Sequence, residues 1–267
     1  MNKSDENIQQ LFDFAFIPSY DKTIRYLATI ADNENWDFPD DYSYTEKRNT
    51  ILRSYLEHTF RRIKQENKIA YTPGDDFACF NTGLVTKNLE EIYALFGRNQ
   101  MPGRQPYVFN GFYKKSNSEL IEKFGSNLPD SANYLSEPEK LIYNPHLNLI
   151  WQIEHIINDN IDRFPPELRS CSDDELRMRV EGAIQEARKR VRLNYRLAIP
   201  QYFNGEIQML LPINLTDGST RPDMALAVRR LDETTYTART CLTLKMAYNN
   251  ARLIHKPQNN WLTDFLR

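Results

Sequence analysis

The chain has 267 residues, with Lys and Arg totalling 34 against 36 Asp and Glu, a formal charge of -2. A chain of this length buries enough surface to fold without a disulfide or metal staple, and the balanced charge excludes a uniformly basic or acidic polyelectrolyte while leaving room for a basic face. Cys79, Cys171 and Cys241 are too few and too scattered for a disulfide framework or a zinc site, and no run approaches the ~18 apolar residues of a membrane span. The polar opening Met1 to Gln10 lacks an apolar signal core, so a reducing cytoplasm is the expected location. The 15 Tyr and 14 Phe supply either a mixed core or base-stacking surfaces.

An apolar stretch, Leu11 to Pro18, precedes a first helix capped by Ser19 or Asp21, with Ile24, Leu27, Ala28 and Ala31 on one stripe. Asn33 through Asp41 reads as turn. A second helix, about Thr45 to Gln65, places Ile51, Leu52, Tyr55, Leu56, Thr59, Phe60 and Ile63 inward and Arg53, Arg61, Arg62 and Lys64 outward. Lys68 to Phe80 forms a hairpin around Thr72-Pro73-Gly74-Asp75-Asp76. Strands follow at Glu91 to Phe96 and Pro106 to Tyr113, then a short helix from Ser118 to Phe124.

Residues 125–148 are loop-rich, with Pro129, Pro138 and Pro145, and 130–145 is a candidate hinge within one domain spanning 1–267. Ile150, Ile153, Ile157 and Ile161 predict a helix from Leu149 to Asp162 that stops at Phe164-Pro165-Pro166. A long helix from Ser172 to Tyr195 carries Leu176, Val180, Ala183, Ile184, Ala187 and Val191 on its buried stripe. It ends in Arg188, Lys189, Arg190, Arg192 and Arg196, cations that a helix C-terminus favours without any ligand. Asn204-Gly205 predicts a two-residue hairpin between Leu197–Phe203 and Glu206–Ile213, with Pro200 and Pro212 confined to an edge, a bulge or a strand end. After the polar loop Thr216 to Pro222, Met224 to Leu231 and Tyr236 to Leu244 make a second antiparallel pair. A tail helix around Trp261-Leu262 and Phe265-Leu266 returns to the body. The expected fold class is α+β: an antiparallel sheet of the middle hairpins and a C-terminal meander, packed against amphipathic helices.

The chain has no phosphate-binding Gly-x-x-x-x-Gly-Lys loop, no Gly-x-Gly-x-x-Gly, no His-Glu-x-x-His and no Gly-x-Ser-x-Gly. With four histidines no metal site is assigned, and no cofactor is named by any motif. Three polar constellations remain. His155 stands one turn from Asp159, a base with an orienting carboxylate, or a solvated pair. Asn81-Thr82-Gly83 ends an apolar strand, where ligand groups gather and where turn chemistry is ordinary. Asp223, Arg239, Thr243, Lys245, Tyr248, Asn249, Asn250 and Arg252 converge on one end of the closing meander and suit a phosphate-bearing ligand. In the structural alternative Tyr248, Asn249 and Asn250 turn the chain and Asp223–Lys245 is a rim salt bridge.

Phe80-Asn81-Thr82-Gly83-Leu84, the run from His155 through Asp159-Asn160 to Arg163-Phe164-Pro165, Ala198-Ile199-Pro200-Gln201-Tyr202 and Ala247-Tyr248-Asn249-Asn250-Ala251-Arg252 resemble an uncharacterised, mainly bacterial domain-of-unknown-function family. The resemblance covers nearly the whole chain. It implies one full-length domain working near RNA, since relatives carry small RNA-binding domains. An Asp more often stands where this chain has Lys245, which weakens Lys245 as a catalytic group.

The reading that follows is a nucleic-acid-directed protein, RNA before DNA, that binds or processes a phosphate-bearing ligand. Its partner would be single-stranded RNA or a nucleotide, with no membrane involved. Arg188, Lys189 and Arg192 would hold phosphates, and Asn81, Thr82, Lys245, Tyr248, Asn249, Asn250 and Arg252 would line the ligand. If there is a reaction, His155, Asp159 and Asp223 carry it. The alternative is a non-catalytic interaction or regulatory module in which these polar groups are structural.

Overall fold

Strands that the sequence suggested would share one antiparallel sheet build two separate five-stranded sheets, each with one parallel edge. A computed structural model describes residues 10–39, 48–216 and 221–266. The polar lead before Gln10, the expected start of the second helix at Thr45, the end of the 33–41 turn and the middle of the 216–222 loop lie outside the described residues. The chain divides into two compact units, Met1–Asn133 and Tyr134–Arg267, and both mix helices with a sheet, so the fold class is α+β.

The first unit contains α1 (Leu11–Phe14), β1 (Ala15–Phe16), α2 (Tyr20–Ile30), α3 (Thr50–Gln65), β2 (Ala70–Tyr71), β3 (Phe77–Val85), β4 (Glu91–Arg98), β5 (Tyr107–Lys114) and α4 (Ser118–Phe124). Its sheet runs β1-β5-β4-β3-β2, with β1 parallel to β5 and the other pairs antiparallel. The apolar stripe expected for α3 is buried from Ile51 to Ile63. Its Phe60 meets Phe80 of β3 with ring centroids 5.4 Å apart, and Phe80 stacks on Phe96 of β4 at 5.7 Å. The alternate residues Cys79, Tyr93 and Leu95 point to the other face, where Leu120 and Phe124 of α4 cover them.

The second unit contains β6 (Asn148–Trp151), α5 (Ile153–Asn158), α6 (Asp173–Leu193), β7 (Ile199–Phe203), β8 (Glu206–Ile213), β9 (Met224–Arg230), β10 (Thr235–Thr243), α7 (Leu244–Ile254) and α8 (Asn260–Thr263). The sheet order is β6-β10-β9-β8-β7, with β6 parallel to β10. Asn204 and Gly205 both hold positive φ, 49° and 89°, the backbone a two-residue hairpin needs. Ser172 caps α6 by accepting the N–H of Glu175. Val180, Ile184, Ala187 and Val191 of α6 pack on Met209, Leu211, Ile213, Leu226 and Val228. Pro200 lies in the edge strand β7, and Pro212 lies beyond the last β7–β8 pair, Ile199–Leu210.

Two expectations fail here. The isoleucines from 150 to 161 do not share one helix. Residues 148–151 pair with 235–238 of β10, the N–H of Gln152 continues the ladder to the Ala238 carbonyl at 2.9 Å, and only then does α5 begin. Leu149 is buried and Ile150 exposed, the period of a strand. Second, the structural alternative in which Tyr248, Asn249 and Asn250 turn the chain gives way to a helix. Thr243 ends β10 and caps α7 by accepting the Met246 N–H at 3.3 Å, and Ala247, Tyr248 and Ala251 form the buried stripe. Among the described residues no helix is long and apolar enough to cross a membrane.

Candidate functional site

Where α6 ends, Asn194 caps a 3-10 turn, Tyr195–Leu197, with its side-chain oxygen accepting the Arg196 N–H at 3.2 Å. This turn projects Tyr195, half exposed, and Arg196 into solvent ahead of β7. The C-terminal segment forms the facing wall. Asn259 donates through Nδ2 to the Arg196 carbonyl, Trp261 donates through Nε1 to the Leu197 carbonyl at 2.8 Å, and Leu262 is fully buried. Between them lies an open cleft of about 860 Å³ whose floor is the start of β7 and the end of β8 at Pro212.

Among the described residues its lining carries Arg190, Arg196, Arg221 and His255 and one carboxylate, Asp264. Arg190 leans on Glu186 of its own helix at 2.5 Å, and the Arg196 guanidinium lies 6.0 Å from the Tyr195 ring centroid. The Tyr143 phenol, also on the lining, is pushed up to about 12 by burial and by Tyr236, so it stays neutral and protonated near pH 7. The arrangement offers positive charge, aromatic faces and amide groups from Asn194, Asn214 and Asn260. Those are the chemistries that hold phosphates and stack bases. Among the described residues no group of three or more His, Cys, Asp or Glu side chains is arranged to hold a metal ion.

The residues singled out from the sequence are not brought together. His155 of α5 and Asp159, just past its end, meet at 3.0 Å, with side chains 48 % and 63 % exposed, at the α6 face of the sheet. Asn250 donates to the buried Gln201 on the opposite face, where α7 packs on β7, so His155 and Asn249 do not share a pocket. The Asp223 carboxylate accepts the N–H groups of Leu215 (2.6 Å) and Thr216 (3.0 Å) and the Thr216 hydroxyl (2.9 Å), which pins the β8–β9 loop. Tyr248 and Arg252 are buried, Lys245 is half-buried, and the Asn249 side-chain oxygen is buried without a hydrogen-bond partner among the described residues.

Asn81 and Thr82 belong to the first unit and have no exposed surface. Thr82 donates to the Ile92 carbonyl at 2.7 Å and accepts the Leu84 N–H. Asn81 donates to Glu91 at 2.7 Å and accepts the Gly83 N–H. The basic end of α6 is split. At roughly 100° per residue, Arg188 and Arg192 flank one side of the buried stripe and Arg190 the other. Arg188 accordingly lies over Trp151 of β6, 5.6 Å from its ring centroid, while Arg190 lines the cleft beside β7, at the opposite edge of the sheet. Lys189 points away from the stripe and is exposed. Tyr195, Arg221, His255 and Trp261 were not singled out as site residues. They come from separate segments, and no spacing in the sequence marks them as neighbours.

No curated protein and no solved structure matches the chain. One family profile, described as a domain of unknown function (DUF3825), matches residues 27–261, nearly all of both sheets together with the 3-10 turn and most of the lining of the cleft. The chain therefore belongs to the DUF3825 family of domains of unknown function.

Proposed function

We propose that the protein binds a phosphate-bearing nucleic-acid ligand, single-stranded RNA or a nucleotide, in the cleft of its second unit. The observation that carries this is the convergence of Arg190, Arg196, Arg221 and His255 with Tyr195 and Trp261 around one opening. A cleft of about 860 Å³ suits one or a few nucleotides better than a duplex. Arg196 is the group to test, because it is exposed and its side chain caps no helix and pairs with no carboxylate among the described residues. The reading is of binding, and no catalytic step is assigned.

Labelled single-stranded RNA should bind the wild-type chain at ~50 mM salt and weaken steeply as salt rises, since each neutralised phosphate adds about 0.7 to the log–log slope for a single strand. Arg196→Ala should weaken binding roughly tenfold and make that slope shallower by about one phosphate. No binding by the wild type at ~50 mM salt would overturn the proposal and favour an interaction module.

A further inference from the structure

After Trp151, β6 leaves the side of β10, and the last β6–β10 pair is Trp151–Ala238. The 3-10 turn Ile161–Arg163 takes its place along the rest of that edge. Arg163 donates through Nη1 to the Cys241 carbonyl at 3.0 Å, to the Thr240 hydroxyl at 3.3 Å and to the side-chain oxygen of Asn160. Asn160 is 3 % exposed and is itself fixed on every side. Its Nδ2 donates to the carbonyls of His155 (3.1 Å) and Ile156 (3.0 Å), and its oxygen also accepts from Thr240 at 2.7 Å.

One nitrogen of Arg163 is thus gripped by three neutral oxygens. The guanidinium is half-buried, and among the described residues no carboxylate pairs with it. Its Nε and Nη2 make no hydrogen bond among the described residues. That pair of N–H groups is the edge that grips two oxygens of an anion at once. Closing the end of a strand edge needs only one donor, and a neutral side chain could supply it. A permanent charge held partly out of water is favoured when an anion completes it. The grip on Nη1 has already set the orientation of the free edge, so a ligand loses little further freedom in using it.

We propose that the Nε–Nη2 edge of Arg163 is an oxyanion site that takes a phosphate group or a carboxylate presenting two oxygens. It lies beside β10 on the β6 side of the sheet, whereas the cleft flanks β7 at the other edge. The two sites are independent, and loss of RNA binding at the cleft leaves this one intact.

Isothermal titration with inorganic phosphate and, separately, with acetate at constant ionic strength tests it on the full chain. Arg163→Lys is the informative variant. Its ammonium still offers three N–H groups to the three oxygens that Nη1 now serves, but it has no second edge. Because the cleft is itself proposed to hold phosphate, the titrations use a chain carrying Arg190→Ala and Arg196→Ala: phosphate should still bind, and adding Arg163→Lys should leave melting within a few degrees and weaken that binding at least tenfold. Stronger binding of phosphate than acetate assigns a phosphate-bearing ligand, and equal or stronger binding of acetate assigns a carboxylate. In that background, binding that survives Arg163→Lys overturns the site, as does binding of neither anion before that change. Should the lysine variant fail to fold, the Nε–H resonance of Arg163 in the wild-type chain decides: it shifts on adding the bound anion, and an unmoved resonance overturns the proposal.

Discussion

The two sheets share a plan, a parallel edge strand beside antiparallel strands, and each breaks register next to a polar sequence, yet they treat that irregularity oppositely. In the first unit the break between Asn81 and Val85 is sealed. Thr82 and Asn81 are spent on neighbouring backbone and on Glu91, Tyr55 of α3 donates to the Thr82 carbonyl at 3.1 Å, and Gly83 turns the chain at φ +73°. In the second unit the break between Ala238 and Thr240 stays open. Arg239 faces solvent, and Arg163 closes the strand edge with one nitrogen while leaving another pair unused. A polar motif inside a strand is therefore no guide to a binding site until the destination of each polar atom is known.

The sealed side breaks most visibly at Gly83. A Cβ there would lie 2.6 Å from the Tyr55 hydroxyl, on a backbone that disfavours L-residues, so Gly83→Ala should cost about 3 kcal/mol in a urea melt. Adding Tyr55→Phe should recover only part of that loss, because the positive φ remains; full recovery would mean that the close approach alone mattered.

On the open side, Asn160→Leu strands the Ile156 carbonyl, takes one donor from the His155 carbonyl and removes one of the three acceptors of the Arg163 nitrogen, and about 2 kcal/mol should be lost. A smaller effect, under about 0.5 kcal/mol, would mean that water replaces the amide and that the support of Arg163 is loose.

Third comes acid. The Glu91 carboxyl is held below its ordinary range, first by the hydrogen bond from Lys115, against a burial effect that would raise it, and then by Asn81 and the Lys115 charge. Its folded value is the depressed one, so its contribution is complete above the unfolded value of ~4.3 and is lost as pH falls through the lower folded value. Glu91 is 36 % exposed, which limits the effect to under about 1 kcal/mol after screening. Glu91→Gln should flatten the acid limb of a stability–pH curve for the first unit, and an unchanged limb would remove Glu91 from the seal. The smallest expectation is Arg239→Ala, within about 0.5 kcal/mol of wild type. A loss approaching that of Gly83→Ala would erase the contrast between the two breaks.

Local chemistry was legible in the sequence, and assembly was not. The Asn204-Gly205 hairpin, the Ser172 cap and the buried stripes of α3 and α6 depend on neighbours within a turn or two, and all are present. The parallel strands β1 and β6 were invisible because their partners lie far along the chain, and four residues with one buried leucine carry too little pattern to compete with a helical reading of the isoleucines. Helix α7 was missed, and a turn at Tyr248–Asn250 was kept as the structural alternative, because Asn249 and Asn250 were weighed as turn formers, whereas the spacing of Leu244, Ala247, Tyr248 and Ala251 decided the outcome. The basic end of α6 was grouped by sequence proximity, and its own helical geometry parts Arg190 from Arg188. The cleft combines the end of α6, the loop after β8 and the C-terminal tail, so no single window of sequence contains it.

The parallel edges also set a schedule for synthesis. Ala15 waits for Tyr107, and Asn148 waits for Thr235. At ~5–20 residues per second, each early strand leaves the ribosome roughly five to twenty seconds before its partner exists. Neither sheet can close until almost all of its unit has been made, and such non-local pairing slows folding. In that interval the unpaired strand edges are open to the wrong neighbour, and the exposure ends only when residues 107 and 235 have been added.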